Sequence, residues 1–392
     1  MINTLAISNY RSLLNIIIPF GNLTVITGDN GSGKSNLYKA LRLLAETAQG
    51  GVINSLAKEG GLSSTLWAGP EKISKRMLSG EVKVEPTHHS KASRLRLGFS
   101  GEDFGYAISL GFPTPESLGP TAFGLDPEIK RECIWKGDVF KNNRLSIDRS
   151  GGLLKSRPDK EWKILSQHAN KYESIFIQAS DPIHAPQIAS LKEHIKSWRF
   201  YDNFRTDSEA PARLPQLGTR TPVLHNDGHD LAAALQTIIE VGDVDALHTA
   251  IDDAFPGSQL AIDVQPDGRF TISLQQEGLL RPLSGAELSD GTLRYLLLVA
   301  AILTPRPPPL MVLNEPETSL HPDLLPALAK LIIQASDTMQ IWVVSHASRL
   351  ISGLEKSDTC HSIHLEKNLG QTQVHGQGML DEPLWHWPDK KY

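Results

Sequence analysis

Cysteine is scarce in this chain: Cys133 and Cys360 are the only two in 392 residues. That is too few for a disulfide framework and fits a reducing compartment. Long apolar runs are missing too. The longest, Tyr295 to Leu303, falls far short of the roughly 20 residues needed to span a bilayer. Met1 to Leu5 shows neither the basic flank nor the apolar core of a secretory signal. There is no internal repeat and no sustained heptad. These absences set the expectation of a cytoplasmic protein with no membrane partner, neither secreted nor a disulfide-built scaffold. What is present fits an ordinary globular chain, 40% hydrophobic and 21% charged, of roughly two to three domain-sized parts. The net charge is −5, with the acidic excess lying beyond about residue 220 and a mildly basic stretch before it. A basic front part admits a nucleic-acid face, and equally ordinary surface variation.

Hydrophobic periodicity predicts short strands at Leu5–Tyr10, Asn15–Phe20 and Leu23–Thr27. A helix is predicted over Asn36–Gln49, with Leu37, Ala40, Leu41, Leu44 and Ala45 at helical spacing. From about 50 to 170, frequent Gly, Pro and Ser alternate with strand-like pieces such as Arg94–Phe99 and Tyr106–Leu110, which predicts antiparallel β with long loops. Helices are expected at Ile188–Trp198, His229–Glu240 and Val244–Phe255. A hairpin joins Gln259–Val264 to Arg269–Gln275 across Pro266-Asp267-Gly268. A helix over Thr292–Leu303 is stopped by Pro305, Pro307, Pro308 and Pro309. The strand Leu310–Leu313, the helix Leu324–Ala335, the strand Ile341–Val344 and a closing β pair from Asp358 complete the reading.

Between the strand at 23–27 and the helix that follows stands Gly28-Asp29-Asn30-Gly31-Ser32-Gly33-Lys34-Ser35-Asn36, a match to G-x-x-x-x-G-K-[ST]. Glycines let successive backbone N–H groups turn inward on a phosphate chain, and the helix N-terminus adds partial positive charge. Lys34 would reach the β- and γ-phosphates and the Ser35 hydroxyl would take a place on Mg²⁺. An apolar strand ending in Asn314-Glu315 supplies the carboxylate that phosphoryl transfer to water needs. Glu315 is the expected general base, with Glu317 a weaker alternative. Asn314 stands where an aspartate would usually touch the Mg²⁺ shell. Its amide oxygen brings no charge, which points to weaker Mg²⁺ binding or slow turnover. Ahead of that strand, Leu288-Ser289-Asp290-Gly291 opens a helix, either as a second phosphate-binding helix start or as a plain N-cap. Ser319-Leu320-His321-Pro322 follows the strand, and His346 ends the next one. Two further clusters, His225-Asn226-Asp227-Gly228-His229 and Cys360-His361-Ser362-Ile363-His364, read as turn and strand residues before metal ligands.

The order of these motifs resembles ABC-type ATPase heads: Walker A, a Leu-Ser-Asp-Gly signature, Walker B with an adjacent Glu, a D-loop and a switch His. The phrases Asn314-Glu-Pro-Glu-Thr-Ser-Leu-His-Pro322 and Ala286-Glu-Leu-Ser-Asp-Gly-Thr-Leu-Arg294 are similar to those of the compact RecF/SMC-like predicted ATPases called AAA family. The resemblance implies an α/β P-loop NTPase fold with a mixed central sheet, an antiparallel β part and a helical lobe. The parts would divide as 1–180, a lobe over 181–290 and a C-terminal part over 291–392. It implies ATP and Mg²⁺ as ligands and a head-to-tail homodimer. Lys34, Ser35 and Glu315 would act in cis and His346 would sense the γ-phosphate. Ser289, Gly291 and Ser319 would act on the ATP of the other subunit. The family's Q-loop glutamine maps best to Gln178, at the end of an expected strand Ser174–Ile177, which would put Gln178 in the Mg²⁺ shell with Ser35 and Asn314. Neither the long coiled coil of SMC proteins nor the Toprim nuclease domain of overcoming-lysogenization relatives is evident. The expected output is DNA repair or maintenance. The alternative is a regulatory subunit gating a partner effector, a nuclease or toxin, in an anti-phage or toxin–antitoxin type of system.

Overall fold

The computed structural model describes residues 1–69, 94–113, 122–158, 161–179, 181–378 and 381–388. In chain order the elements are β1 (Ile2–Tyr10), β2 (Leu13–Pro19), β3 (Leu23–Gly28), α1 (Lys34–Thr47), α2 (Val52–Lys58), α3 (Gly61–Thr65), β4 (Leu95–Gly101), β5 (Phe104–Gly111), β6 (Glu128–Lys136), β7 (Leu145–Ser150), β8 (Leu153–Ser156) and β9 (Lys163–Ser166). Then come α4 (Ile175–Gln178), α5 (Pro186–Lys196), β10 (Arg199–Tyr201), β11 (Gln216–Leu217), α6 (Leu231–Val241), α7 (Val244–Ala254), β12 (Gln259–Val264), β13 (Arg269–Gln275) and β14 (Leu283–Ser284). Last are α8 (Asp290–Ile302), β15 (Leu310–Asn314), α9 (Leu325–Ala335), β16 (Gln340–Val344), α10 (Ser348–Leu354), β17 (Cys360–Asn368) and β18 (Gln371–Val374). They form two compact units. One comprises Met1–Phe20, Gly28–Ser197 and Ile363–Tyr392, the other Gly21–Thr27 and Trp198–Ser362.

The first unit is built on an eight-stranded sheet in the order β2-β1-β4-β5-β6-β7-β8-β9, antiparallel at every pairing. The antiparallel part expected within 50–170 is therefore present, and β1 and β2 extend it. Two details differ from expectation. Residues 52–65 form the short helices α2 and α3, not strands. Ser174–Ile177 is not a strand either: the Ser174 hydroxyl accepts from Phe176 N and starts the single helical turn α4. A serine placed to satisfy a free N–H outweighs the apolar run Ile175-Phe176-Ile177. Residues 70–93, 114–121 and 159–160 of that stretch lie outside the described residues.

Inside this sheet sits a charged pair. Arg149 and Glu132 are fully buried, with Nη1 3.3 Å from Oε2. Glu132 also accepts from Tyr106 Oη at 2.7 Å and from Ile175 N at 3.0 Å, and Arg149 donates to the carbonyls of Glu173 and Asn170. Burial of both charges is tolerable only because nearly every lone pair and proton finds a partner.

In the second unit β10, β15, β16 and β3 run parallel in that order. Leu310–Leu313 and Ile341–Val344 are buried throughout, as expected of strands covered on both faces. Edge strand β10 escapes a reading based on periodicity because three residues, Arg199-Phe200-Tyr201, carry no period. The helix α8 is buried along Leu293–Ile302, which makes it an internal helix and not an amphipathic one. Around it α6, α7 and α9 close one continuous apolar core. A second, smaller sheet places β13 between β11 and β12, with β14 also on β13. The predicted hairpin of β12 and β13 is present, pairing Gln259 with Gln275 and Val264 with Phe270.

Candidate functional site

In the first unit, Gly28 opens the loop that leads directly into α1. Gly28, Gly31 and Gly33 all have positive φ, at 143°, 82° and 112°. A Cβ on Gly28 would stand 2.2 Å from Leu365 O, and one on Gly33 would stand 2.0 Å from Thr372 Oγ1. Both positions therefore demand glycine twice over, by conformation and by space. The side chain of Lys34 turns back over the loop and donates to the carbonyls of Gly28 and, at 3.0 Å, Asp29. Lys34 is only 7% exposed, and among the described residues no carboxylate pairs with its ammonium. The first turn of α1 carries no acidic residue, and Gly33 offers no side-chain cap. Ser32 Oγ is buried without a hydrogen-bond partner among the described residues. A buried cation with no counter-charge, an uncapped helix start and an orphaned hydroxyl meet in one loop. That chemistry fits an anion.

Two residues that motif reading missed hold this loop. Thr372 Oγ1 donates to Ser32 O at 2.7 Å and lies 2.7 Å from Ser12 Oγ, which accepts from Asn36 Nδ2 at 2.8 Å. With the Thr372 proton committed to Ser32, the run has one direction, from Asn36 through Ser12 and Thr372 to the loop carbonyl. Ser35 is exposed and free to face a ligand. Gln178 is occupied differently. Its amide accepts from Asn170 N at 2.7 Å and donates to the carbonyls of Asn170 and Glu173 at 2.6 and 2.9 Å.

In the second unit, Asn314 ends β15 opposite Val344 of β16, and Val344 stands opposite Ile26 of β3. The three strands thus bring Asn314, Ser345 and Thr27 to the same, C-terminal edge, the edge at which open α/β sheets bind ligands. Glu315 follows with φ 48°, a left-handed conformation costly for a side-chain-bearing residue. Glu315 N donates to Val344 O at 2.8 Å, and Arg294 Nη2 reaches Glu315 O at 3.4 Å. The Glu315 carboxylate is 43% exposed and that of Glu317 only 7%. His346 Nδ1 lies 4.0 Å from the first and 3.6 Å from the second. The structure therefore brings Glu315, Glu317 and His346 together. Of the two carboxylates, Glu315 alone faces solvent.

At the start of α8, Ser289 Oγ accepts from Thr292 N at 3.1 Å, so the residue is an N-cap in its own chain. It and Asp290 stay exposed. A Cβ on Gly291 would come 3.0 Å from Ser319 O, which sets the turn before α8 against the loop at Ser319. Arg213, 8% exposed, donates to Leu288 O at 2.6 Å, Gly285 O at 3.1 Å and Asp290 Oδ1 at 2.7 Å. Arg294 is buried against Phe204, its guanidinium 5.6 Å from the ring, and burial pushes its pKa below the usual arginine value. Neither arginine is predictable from spacing, since the Leu288 carbonyl and Asp290 carboxylate that Arg213 meets and the Phe204 and Glu315 carbonyls that Arg294 meets are distant in sequence.

Of the two other histidine clusters, His225, Asp227 and His229 bring potential ligand atoms within 4.8 Å of one another, the only such group of three among the described residues. The arrangement is a turn. Gly228 has φ 71°, and Asp227 Oδ1 accepts from His229 N and from both rings. Cys360 and His364 form no such group, and burial pushes the Cys360 thiol up to about 11.

Residues 23–352 match the family profile described as "AAA domain, putative AbiEii toxin, Type IV TA system". The chain belongs to this AAA-domain family. Its fold is that of an SMC head. The head in the crystal structure of the SmcHead bound to the C-winged helix domain of ScpA matches with a TM-score of 0.50 at 14% identity, over 97% of this chain and 98% of that one. The SMC head domain from Thermotoga maritima is similar at 13% identity over 95% and 97%, with a TM-score of 0.46. The Pyrococcus furiosus Smc head, bound to the C-terminal domain of ScpA, is similar at 14% over 95% of each chain, with a TM-score of 0.47. No curated protein matches the sequence. Among the described residues no helix of this AAA-domain protein is long and apolar enough to cross a membrane.

Proposed function

We propose that this chain is a Mg²⁺-dependent ATPase head whose ATP is sandwiched in a head-to-tail dimer. The observation that carries the reading is Lys34: a buried ammonium with no carboxylate partner among the described residues, inside a loop where Gly28 and Gly33 leave no room for a side chain. A polyphosphate supplies the missing charge. Gly28 to Asn36 would wrap the β- and γ-phosphates. Ser35 Oγ and the Asn314 amide oxygen would hold Mg²⁺, whose charge offsets that of the phosphates. Gln178 would have to give up three backbone contacts to join them, so the shell is assigned to Ser35 and Asn314. Glu315 would take the proton of the attacking water, and His346 would sense the γ-phosphate. Ser289 and Gly291, at an exposed helix start, with Ser319 beside them, would complete the site of the second subunit.

The output we favour is control of a partner effector in a toxin–antitoxin or defence type of system, supported by the description of the family to which the chain belongs. The basic excess before residue 220 supports the second reading, DNA repair or maintenance. The experiment is ATP binding and turnover by wild type, Lys34→Ala and Glu315→Gln, with and without duplex DNA. Lys34→Ala should abolish binding, and Glu315→Gln should bind but turn over some 10²–10⁴-fold more slowly. Unchanged affinity in Lys34→Ala refutes the nucleotide site. DNA stimulation that falls steeply with salt moves the output to the second reading.

A further inference from the structure

Glu317 stands two residues past the base and shares nothing of its exposure. Its Oε1 accepts from Ser345 Oγ at 2.7 Å, from His346 N at 3.0 Å and from Ala347 N at 3.2 Å. Its Oε2 is buried without a partner among the described residues. The backbone around it is interlocked: Thr318 N donates to Glu315 O and Leu320 N to Glu317 O, between left-handed Glu315 and Ser319. One carboxylate thus ties the loop after β15 to the loop after β16. Three donors converge on one oxygen, an arrangement that charge makes strong.

We propose that Glu317 is the positioning residue of the switch histidine: it fixes the backbone of His346 and Ala347, and through it the imidazole, relative to the Glu315 carboxylate. The role rests on the reading of His346 as the γ-phosphate sensor. It also bears on the choice between the two acids, because an oxygen already accepting three hydrogen bonds in a buried site is not the one that activates water. The strained turn at Glu315 and the D-loop turn at Ser319 lie on the same tether. Disturbing Glu317 therefore misplaces His346 without removing any group that touches nucleotide.

The test compares the full-length wild type with Glu317→Ala, Glu317→Gln, His346→Ala and the double variant Glu317→Ala/His346→Ala. The readouts are steady-state ATPase kinetics and amide hydrogen exchange of peptides covering 345–350. Glu317→Ala should lower kcat about ten- to a hundredfold, as displacement of a catalytic group by an ångström does, with KM for ATP within about twofold. Exchange at His346 and Ala347 should accelerate. Glu317→Gln keeps an acceptor oxygen at the same reach and should recover most of both. The double variant should be no slower than His346→Ala. If Glu317→Ala slows the His346→Ala background by the same factor as the wild type, or leaves exchange of 345–350 unchanged, the proposal is overturned. Should the alanine variant fail to fold, Glu317→Asp, too short to meet all three donors, replaces it with the same expected pattern. A wild type no faster than Lys34→Ala refutes the ATPase reading alone. The exchange data then still decide whether Glu317 holds this loop.

Discussion

Thr372 Oγ1 donates a 2.7 Å hydrogen bond to the carbonyl of Ser32, so that a hydroxyl late in the chain braces the middle of a glycine-rich loop near its start. Thr372 is fully buried, and its contact with Gly33 is so close that the loop glycine and the threonine specify each other.

The isosteric change Thr372→Val removes that donor and leaves the Ser32 carbonyl and the Ser12 hydroxyl short of a partner. The loss should be about 1–3 kcal/mol of stability, read as a lower midpoint in urea denaturation. ATP affinity should fall with it, because the loop loses its brace. Wild-type affinity in the Thr372→Val protein would show that the glycines hold the loop unaided.

Asn314→Asp adds the charge that the end of β15 lacks. The expected result is a lower Mg²⁺ concentration for half-maximal ATPase activity and a higher kcat at limiting Mg²⁺. Titration of MgCl₂ at fixed ATP decides it. An unchanged Mg²⁺ dependence would take Asn314 out of the metal shell.

Ser289→Arg places a long cation at an exposed helix start that its own chain uses only as a cap. ATP binding by the isolated subunit should persist, while ATP-dependent pairing is lost. Light scattering of the Glu315→Gln protein with Mg·ATP, with and without the added substitution, measures this. A dimer that survives Ser289→Arg removes the signature turn from the interface.

Arg149→Ala leaves Glu132 charged and fully buried without a cation. Such a break costs about 3–5 kcal/mol, far more than an exposed ion pair contributes. Thermal unfolding should register it as a large fall in Tm. A loss of under about 1 kcal/mol would mean that the Tyr106, Ser174 and Ile175 donors together carry Glu132 without the cation.

Much of this protein is legible in the amino-acid sequence because it is local. A P-loop is a contiguous phrase, since the backbone of one short turn does the binding. The strands β15 and β16 announce themselves because burial on both faces leaves no polar position to interrupt Leu310–Leu313 or Ile341–Val344. The hairpin of β12 and β13 is set by Pro266-Asp267-Gly268. Elements with no periodicity, such as β10, and those decided by a single hydrogen bond, such as the turn at Ser174, escape the same reading.

The sequence by itself determined the phosphate-type loop, the order of the motifs and the family, all of them properties of adjacent residues. Only the tertiary structure decided which of Glu315 and Glu317 faces solvent, what braces the loop, and which arginine holds the turn before α8. Burial and hydrogen-bond partnership depend on residues far apart in the chain, as Ser32 and Thr372 or Arg213 and Leu288 are, and no spacing rule encodes that closure.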